Sequence, residues 1–205
     1  DGFLDLDHYQ ELLERDPKVV GLIHMSNVLG TINPVKQMVQ QAHQRGAITV
    51  IDGAQSVPHL PVDVQDLGVD FLAFSAHKMC GPTGIGALYG RKALLENMPP
   101  FLGGGEMIKS VQLKSFKAND LPHKFEAGTP AIAEAVGFGA AVDFLSSIGM
   151  AFVAAHEQEI AAYALEKLAE IPGVQVYGPP AANKGAVASF SVQCAHAHDV
   201  AQILD

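Results

Sequence analysis

Cysteine is scarce: Cys80 and Cys194 are the only two in 205 residues, too few for a disulfide framework and consistent with a reducing compartment. Charge is thin as well. Asp, Glu, Lys and Arg make up 17% of the chain, and the acidic residues outnumber the basic ones by 22 to 13, for a net charge of −9 at pH 7. A field of that sign repels phosphate backbones and anionic bilayers, so neither nucleic acid nor a membrane is an expected partner. No internal repeat, charge block or signal peptide is visible, and the uncharged run from Ala127 to Ala133 is too short and too broken to span a bilayer. A cytoplasmic protein is expected, or an organellar one if a transit peptide preceded Asp1. The chain neither begins with Met nor ends on a helix stop signal, and the expectation is a fragment of a longer polypeptide.

What is present is a large-core composition, with 48% hydrophobic residues, 20 Gly and 12 Pro. Helical spacing of apolar residues runs from Leu6 to Arg15, and Val19 to His24 reads as a short buried strand. Pro34 then opens a helix, with Val35, Met38, Val39 and Ala42 on one face, that ends near Gly46. AITVID (Ala47 to Asp52) and FLAFS (Phe71 to Ser75) are two more apolar strands, and IGALYG (Ile85 to Gly90) a fourth. A short helix over Arg91 to Asn97 precedes a Gly-rich loop with a polar continuation to Asp120. Two long helices follow, Ala131 to Ile148 and Ala151 to Glu170, then two half-exposed strands, Val174 to Tyr177 and Val187 to Val192. This is an α/β pattern, a mostly parallel sheet covered on both faces, with a domain boundary near residue 171. Ligands of such sheets bind beyond the carboxyl ends of the strands. Those ends are His24 to Asn27, Asp52 to Gln55 and Ser75 to Lys78, where polar residues collect.

The informative segment is FSAHKMCGPTGIG, Phe74 to Gly86. Lys78 follows a buried strand directly. Its plain reading is a lysine that snorkels to water. The sharper one is a Schiff-base lysine, because partial burial favours the neutral amine, the form that attacks an aldehyde. Asp52, at the end of the preceding strand, supplies the companion such chemistry needs: pyridoxal phosphate is an effective electron sink only while its ring nitrogen stays protonated, and a carboxylate secures that proton. Its alternative role is to cap the segment that follows.

HMSNVLGTINP, VIDGAQSVPHLPVDV, FLAFSAHKMCGPTGIGALYG, FLGGGEMI and KFEAGTP, in this order, resemble the class V aminotransferase superfamily, most closely the SufS-type cysteine desulfurases. The resemblance implies the large domain of a fold type I PLP-dependent transferase over residues 1–170, with 171–205 beginning a small C-terminal α+β domain. It implies pyridoxal 5'-phosphate as cofactor and L-cysteine as substrate, converted to L-alanine with an enzyme persulfide serving iron–sulfur cluster assembly. Carried over by position, Lys78 bonds the cofactor aldehyde and Asp52 faces the pyridinium nitrogen. Gln55 meets the phenolic oxygen, Asn27 faces cofactor and substrate, and Ser75 and His77 bind the phosphate. Thr129 reaches the phosphate of a neighbouring subunit, which implies a homodimer, and a sulfur-acceptor protein is the implied partner.

The departures are equally specific. The family's nucleophilic cysteine and its substrate-carboxylate arginine fall after Asp205, and a histidine that stacks on the cofactor falls before Asp1, so this chain alone is expected to be inactive. Cys80 and Cys194 read as small buried hydrophobes. GPTGIG lacks the lysine of a phosphate-binding P-loop, and His156–Glu157 begins HExxH but residue 160 is Ile. His196 and His198 read as exposed loop histidines with no third metal ligand, and Gly103 to Gly105 as glycines of close backbone packing near a dimer contact. The competing functions are a selenocysteine lyase or transaminase of the same superfamily, or a non-catalytic scaffold of the same fold.

Overall fold

The structure, a computed structural model, describes residues 1–205. Asp5 starts the first helix, α1 (Leu6–Leu13), by accepting the His8 N–H through its side chain. Tyr9 and Leu13 turn inward, and the Tyr9 hydroxyl donates to the Met38 carbonyl at 2.8 Å. Strand β1 (Val19–Ile23) leads through a turn to α2 (Val35–Gln44), which buries Val35, Met38, Val39 and Ala42, the face expected from their spacing. Then come β2 (Ile48–Asp52), the single-turn helix α3 (Val64–Leu67) capped by Asp63, and β3 (Phe71–Ser75). β4 (Gly86–Gly90) and the short α4 (Lys92–Asn97) complete this half.

The sheet order is β1-β2-β3-β4, with β1, β2 and β3 parallel and β4 antiparallel to β3. A mostly parallel sheet was the expectation. The helices of this half, however, cover one face only. Beneath α1 and α2, Tyr9, Leu13, Met38, Ala42 and Ala47 form one cluster, and Val39, Ile51, Val69 and Leu72 form its neighbour. The opposite face is open: Val19, Ile23, Val50 and Leu88 are all exposed on it. Successive strand side chains point to opposite faces. The apolar composition therefore suits two-sided coverage, of which this chain supplies one side.

Residues after α4 differ from expectation in several places. The polar stretch before Asp120 contains a small hairpin, β5 (Ile108–Val111) with β6 (Phe116–Ala118), and an irregularity between Ile108 and Ser110 breaks the alternation that would have marked it. Of the three glycines before it, Gly104 alone packs closely, against Ala127 and Gly128, while Gly103 and Gly105 face open space. Helices α5 (Ile132–Ile148) and α6 (Met150–Ala169) bend by 73° around Gly149, whose φ is +89°. No single helix is long and apolar enough to cross a membrane. β7 (Val174–Tyr177) and β8 (Ser189–Val192) pair as a separate antiparallel sheet, and α7 (Ala197–Leu204) closes the chain.

At the amino end of β3 a buried carboxylate braces three segments. Asp70 Oδ2 accepts from the Thr49 N–H at 2.8 Å, the Thr49 hydroxyl at 3.0 Å and His43 Nε2 at 2.7 Å, while Arg91 Nε lies 3.3 Å from Oδ1. Burial disfavours the charge, but the Thr49 N–H, the His43 ring and the Thr49 hydroxyl outweigh it and hold the carboxyl below its usual range. A depressed carboxyl pKa contributes stability that is complete above the unfolded value near 3.8 and is lost as pH falls through the folded value. Asp70→Asn is expected to lower urea-unfolding stability at pH 7 by about 2 kcal/mol. The deficit relative to wild type should shrink below about pH 4, where the carboxyl of the unfolded chain takes up a proton while the folded one still holds its charge.

Candidate cofactor site

Parallel pairing puts the site residues in one row. Ile23 is in register with Asp52, and Asp52 with Ala73, so β1 and β2 end side by side about 4.8 Å apart while β3 continues to Ser75 at the same edge. The His24 N–H donates to the Asp52 carbonyl and the Gly53 N–H to the Ala73 carbonyl, which carries the alignment one residue past the strands. Beyond the row, each chain turns. Asn27 sits exposed on the turn after β1; Asp52 and the half-buried Gln55 begin the turn after β2; Ser75 ends β3. His77, exposed, and Lys78, half-buried, lie on the 3₁₀ turn Ala76–Lys78.

That 3₁₀ turn is fixed from beneath. Ala76 is fully buried, its N–H donates to the Ile85 carbonyl, and its own carbonyl accepts from Met79 and Gly81. The glycines of GPTGIG make this possible. A Cβ on Gly81 would stand 2.9 Å from the Ala76 carbonyl oxygen, and one on Gly86 would stand 2.5 Å from that of Phe74. Helix α5 supports the same loop, with Phe138 edge-on to Phe74 and Gly137 against Pro82. Lys78 therefore projects from a rigid shelf, the setting a positioned catalytic amine requires.

Three polar groups show what the shelf can accept. The Ser75 hydroxyl is buried and has no hydrogen-bond partner, an uncommon state for such a group. It suits a phosphate oxygen brought from outside, with His77 beside it. Asp52 Oδ1 accepts the Ala54 N–H at 2.9 Å, so the capping role read from the sequence holds for one carboxylate oxygen and leaves the other for a cationic donor. The amine, the carboxylate, the Gln55 amide and the phosphate-type donors thus match the donor set that pyridoxal 5'-phosphate needs.

Thr129 stands apart from this row, exposed after the 3₁₀ turn His123–Phe125, on a segment tied to the Gly-rich loop by the Gly128 N–H donating to Gly105. Cys80 and Cys194 depart from expectation: both are exposed, and both have positive φ, 61° and 65°. Each occupies a left-handed turn position just past a regular element, where the backbone carries the side chain outward. His196 and His198 are both exposed, as expected, but only His196 lies in the connecting segment; it caps α7 by accepting the N–H of His198, which sits in the first turn of that helix. The sequence reading assigned no role to His24, whose buried Nδ1 lacks a partner and whose pKa is pushed down by burial. It also passed over His59, which bonds Glu157 of α6 at 2.8 Å and ties that helix to the turn bearing Gln55.

Comparison with known proteins agrees with this architecture. The cysteine desulfurase of Haloferax volcanii is 53% identical over all 205 residues, and a probable cysteine desulfurase of Streptomyces coelicolor is 52% identical over an alignment of 206. The chain covers 48% and 49% of these two, so it spans about half the length of the relatives it matches. Among solved structures, the apo cysteine desulfurase of Thermococcus onnurineus superposes on the whole chain with a TM-score of 0.94 at 40% identity, and the match covers 51% of that protein. The Escherichia coli cysteine desulfurase CsdA gives 0.92 at 36% identity over 98% of this chain and 49% of its own. The profile of the aminotransferase class-V family matches residues 1–205, end to end, and the chain belongs to that family.

Proposed function

We propose that the whole protein is a pyridoxal-phosphate-dependent cysteine desulfurase, of which this chain is the part that grips the cofactor. The observation that carries the reading is the row of strand ends: Asp52 at the end of β2, Lys78 just beyond the neighbouring β3, and at the end of β3 a buried Ser75 hydroxyl with no partner. The names of relatives about half identical to this chain support the substrate, L-cysteine. On this reading residues 1–170 belong to the large cofactor-binding domain and 171–205 begin a smaller one.

The chain's own residues divide the work. Ser75 and His77 donate to the phosphate and fix one end of the ligand. Asp52 would keep a proton on the ring nitrogen through its free oxygen, and the Gln55 amide would donate to the phenolic oxygen. Asn27 closes the row from the turn after β1. Bound there, the cofactor supplies an electrophilic aldehyde and a ring that withdraws electrons from the substrate's α-carbon. Lys78 would bond the aldehyde, and its amine would be the group that holds or moves a proton beside the substrate's α-carbon. The thiolate that accepts sulfur, and the cation that clamps the substrate carboxylate, come from parts of the protein beyond these residues. A homodimer sharing its sites through Thr129, a separate sulfur-acceptor protein and a role in iron–sulfur cluster assembly belong to the same reading.

Two outcomes test it. In the whole protein, Lys78→Ala should abolish the borohydride-fixable yellow adduct with pyridoxal phosphate and reduce alanine formation from L-cysteine by at least about 10²-fold; an adduct that survives the substitution refutes the assignment. The 205-residue chain assayed alone should release neither alanine nor sulfide from L-cysteine, and measurable turnover would show that the sulfur-accepting group lies within it.

A further inference from the structure

The turn bearing Asn27 is gripped from the opposite end of the sequence. Within the turn, the Ser26 N–H donates to Thr31 O, the Gly30 N–H donates to Ser26 O, and Ser26 Oγ accepts from Val28 and Leu29. Its outer side is held by residues 183–189. The Ile32 N–H donates to Asn183 O at 3.0 Å, the Gly185 N–H donates to Gly30 O at 2.9 Å, and the Ser189 hydroxyl donates to Val28 O. Thr31 and Lys184 form an isolated antiparallel bridge.

Lys184 sits at the centre of this contact and is completely buried, at 0% exposure. That is rare for lysine, whose charged form resists removal from water. Its stem passes under Gly30: a Cβ there would lie 3.3 Å from Lys184 Cε and 3.0 Å from Val187 Cβ, and φ is +73°. Its amine ends beside Gly178, 3.3 Å from where a Cβ would stand, and donates to the Tyr177 carbonyl at a long 3.5 Å. A single bond at that distance is weak. The packing of the four-carbon stem, rather than the charge, therefore does the holding.

We propose that Lys184 is a positioning residue: its buried stem, wedged between Gly30 and Gly178, holds the Asn27 turn against the strand ends and so couples residues 171–205 to cofactor binding. The coupling rests on the cofactor reading above, whereas the clamp on the turn does not. Truncating the stem leaves a void beneath Gly30 and frees the turn to shift. Replacing Lys by Met keeps an unbranched stem of similar length and removes the buried charge.

Two measurements on the whole protein test this. In hydrogen exchange on the cofactor-free protein, Lys184→Ala should speed exchange of the Ser26, Gly30 and Ile32 amides about tenfold or more, leave β2 amides unchanged, and be rescued by Lys184→Met. Unchanged rates at those three amides, an equal rise in β2, or failure of Lys184→Met to restore protection would overturn the clamp. For cofactor binding, followed by absorbance titration with pyridoxal phosphate, Lys184→Ala should raise Kd about tenfold in wild type but less than twofold when Asn27→Ala is already present. Equal effects in both backgrounds would overturn the coupling. Wild-type protein that binds no pyridoxal phosphate would instead overturn the cofactor reading and the coupling with it, and the exchange result on the turn would still decide the clamp.

Discussion

Everything at the candidate site follows from parallel pairing in register. Because Ile23, Asp52 and Ala73 align across β1, β2 and β3, the backbones of β1 and β2 leave the sheet at one height while β3 runs on to Ser75, and the residues beyond all three lie at the same edge. A parallel ladder fixes this arrangement without any contact between the functional side chains themselves. Asp52 illustrates the economy. Its carbonyl receives the His24 N–H, its neighbour Gly53 donates to Ala73, and its carboxylate caps the following turn, so two adjacent residues tie three strand ends together.

Much of this was legible in the sequence. Apolar runs of five or six residues located β1, β2, β3 and β4, and the spacing of Val35, Met38, Val39 and Ala42 chose the buried face of α2 correctly. Lys78 stood out because a charged residue directly after a buried strand needs a reason. Local pattern could not say which sheet face the chain itself would cover, since Val19, Ile23, Val50 and Leu88 read as core whether or not something lies over them. Nor could it foresee Cys80 and Cys194 on the surface, because both sit at left-handed turn positions that hydrophobic patterning does not mark. Lys184 was invisible for the opposite reason: its burial comes from a contact with residues about 150 positions earlier, around Gly30.

The glycines near the site act by leaving room. Gly86 lets β4 run close to Phe74, and Gly81 lets the loop fold back over Ala76, so the 3₁₀ turn with His77 and Lys78 is supported by backbone on both sides. Side chains there would push that backbone away and displace Lys78. Gly185 plays the same part at the distant clamp, where a Cβ would come within 2.5 Å of Met25 Sδ.

The solitary hydroxyl of Ser75 also bears on energetics. Burying it without an acceptor strips its hydration during folding, at an expense of about 1–3 kcal/mol that falls on the empty protein. A group that bound the folded chain and supplied that missing partner would recover part of the expense, and ligation at this one oxygen would then raise resistance to heat.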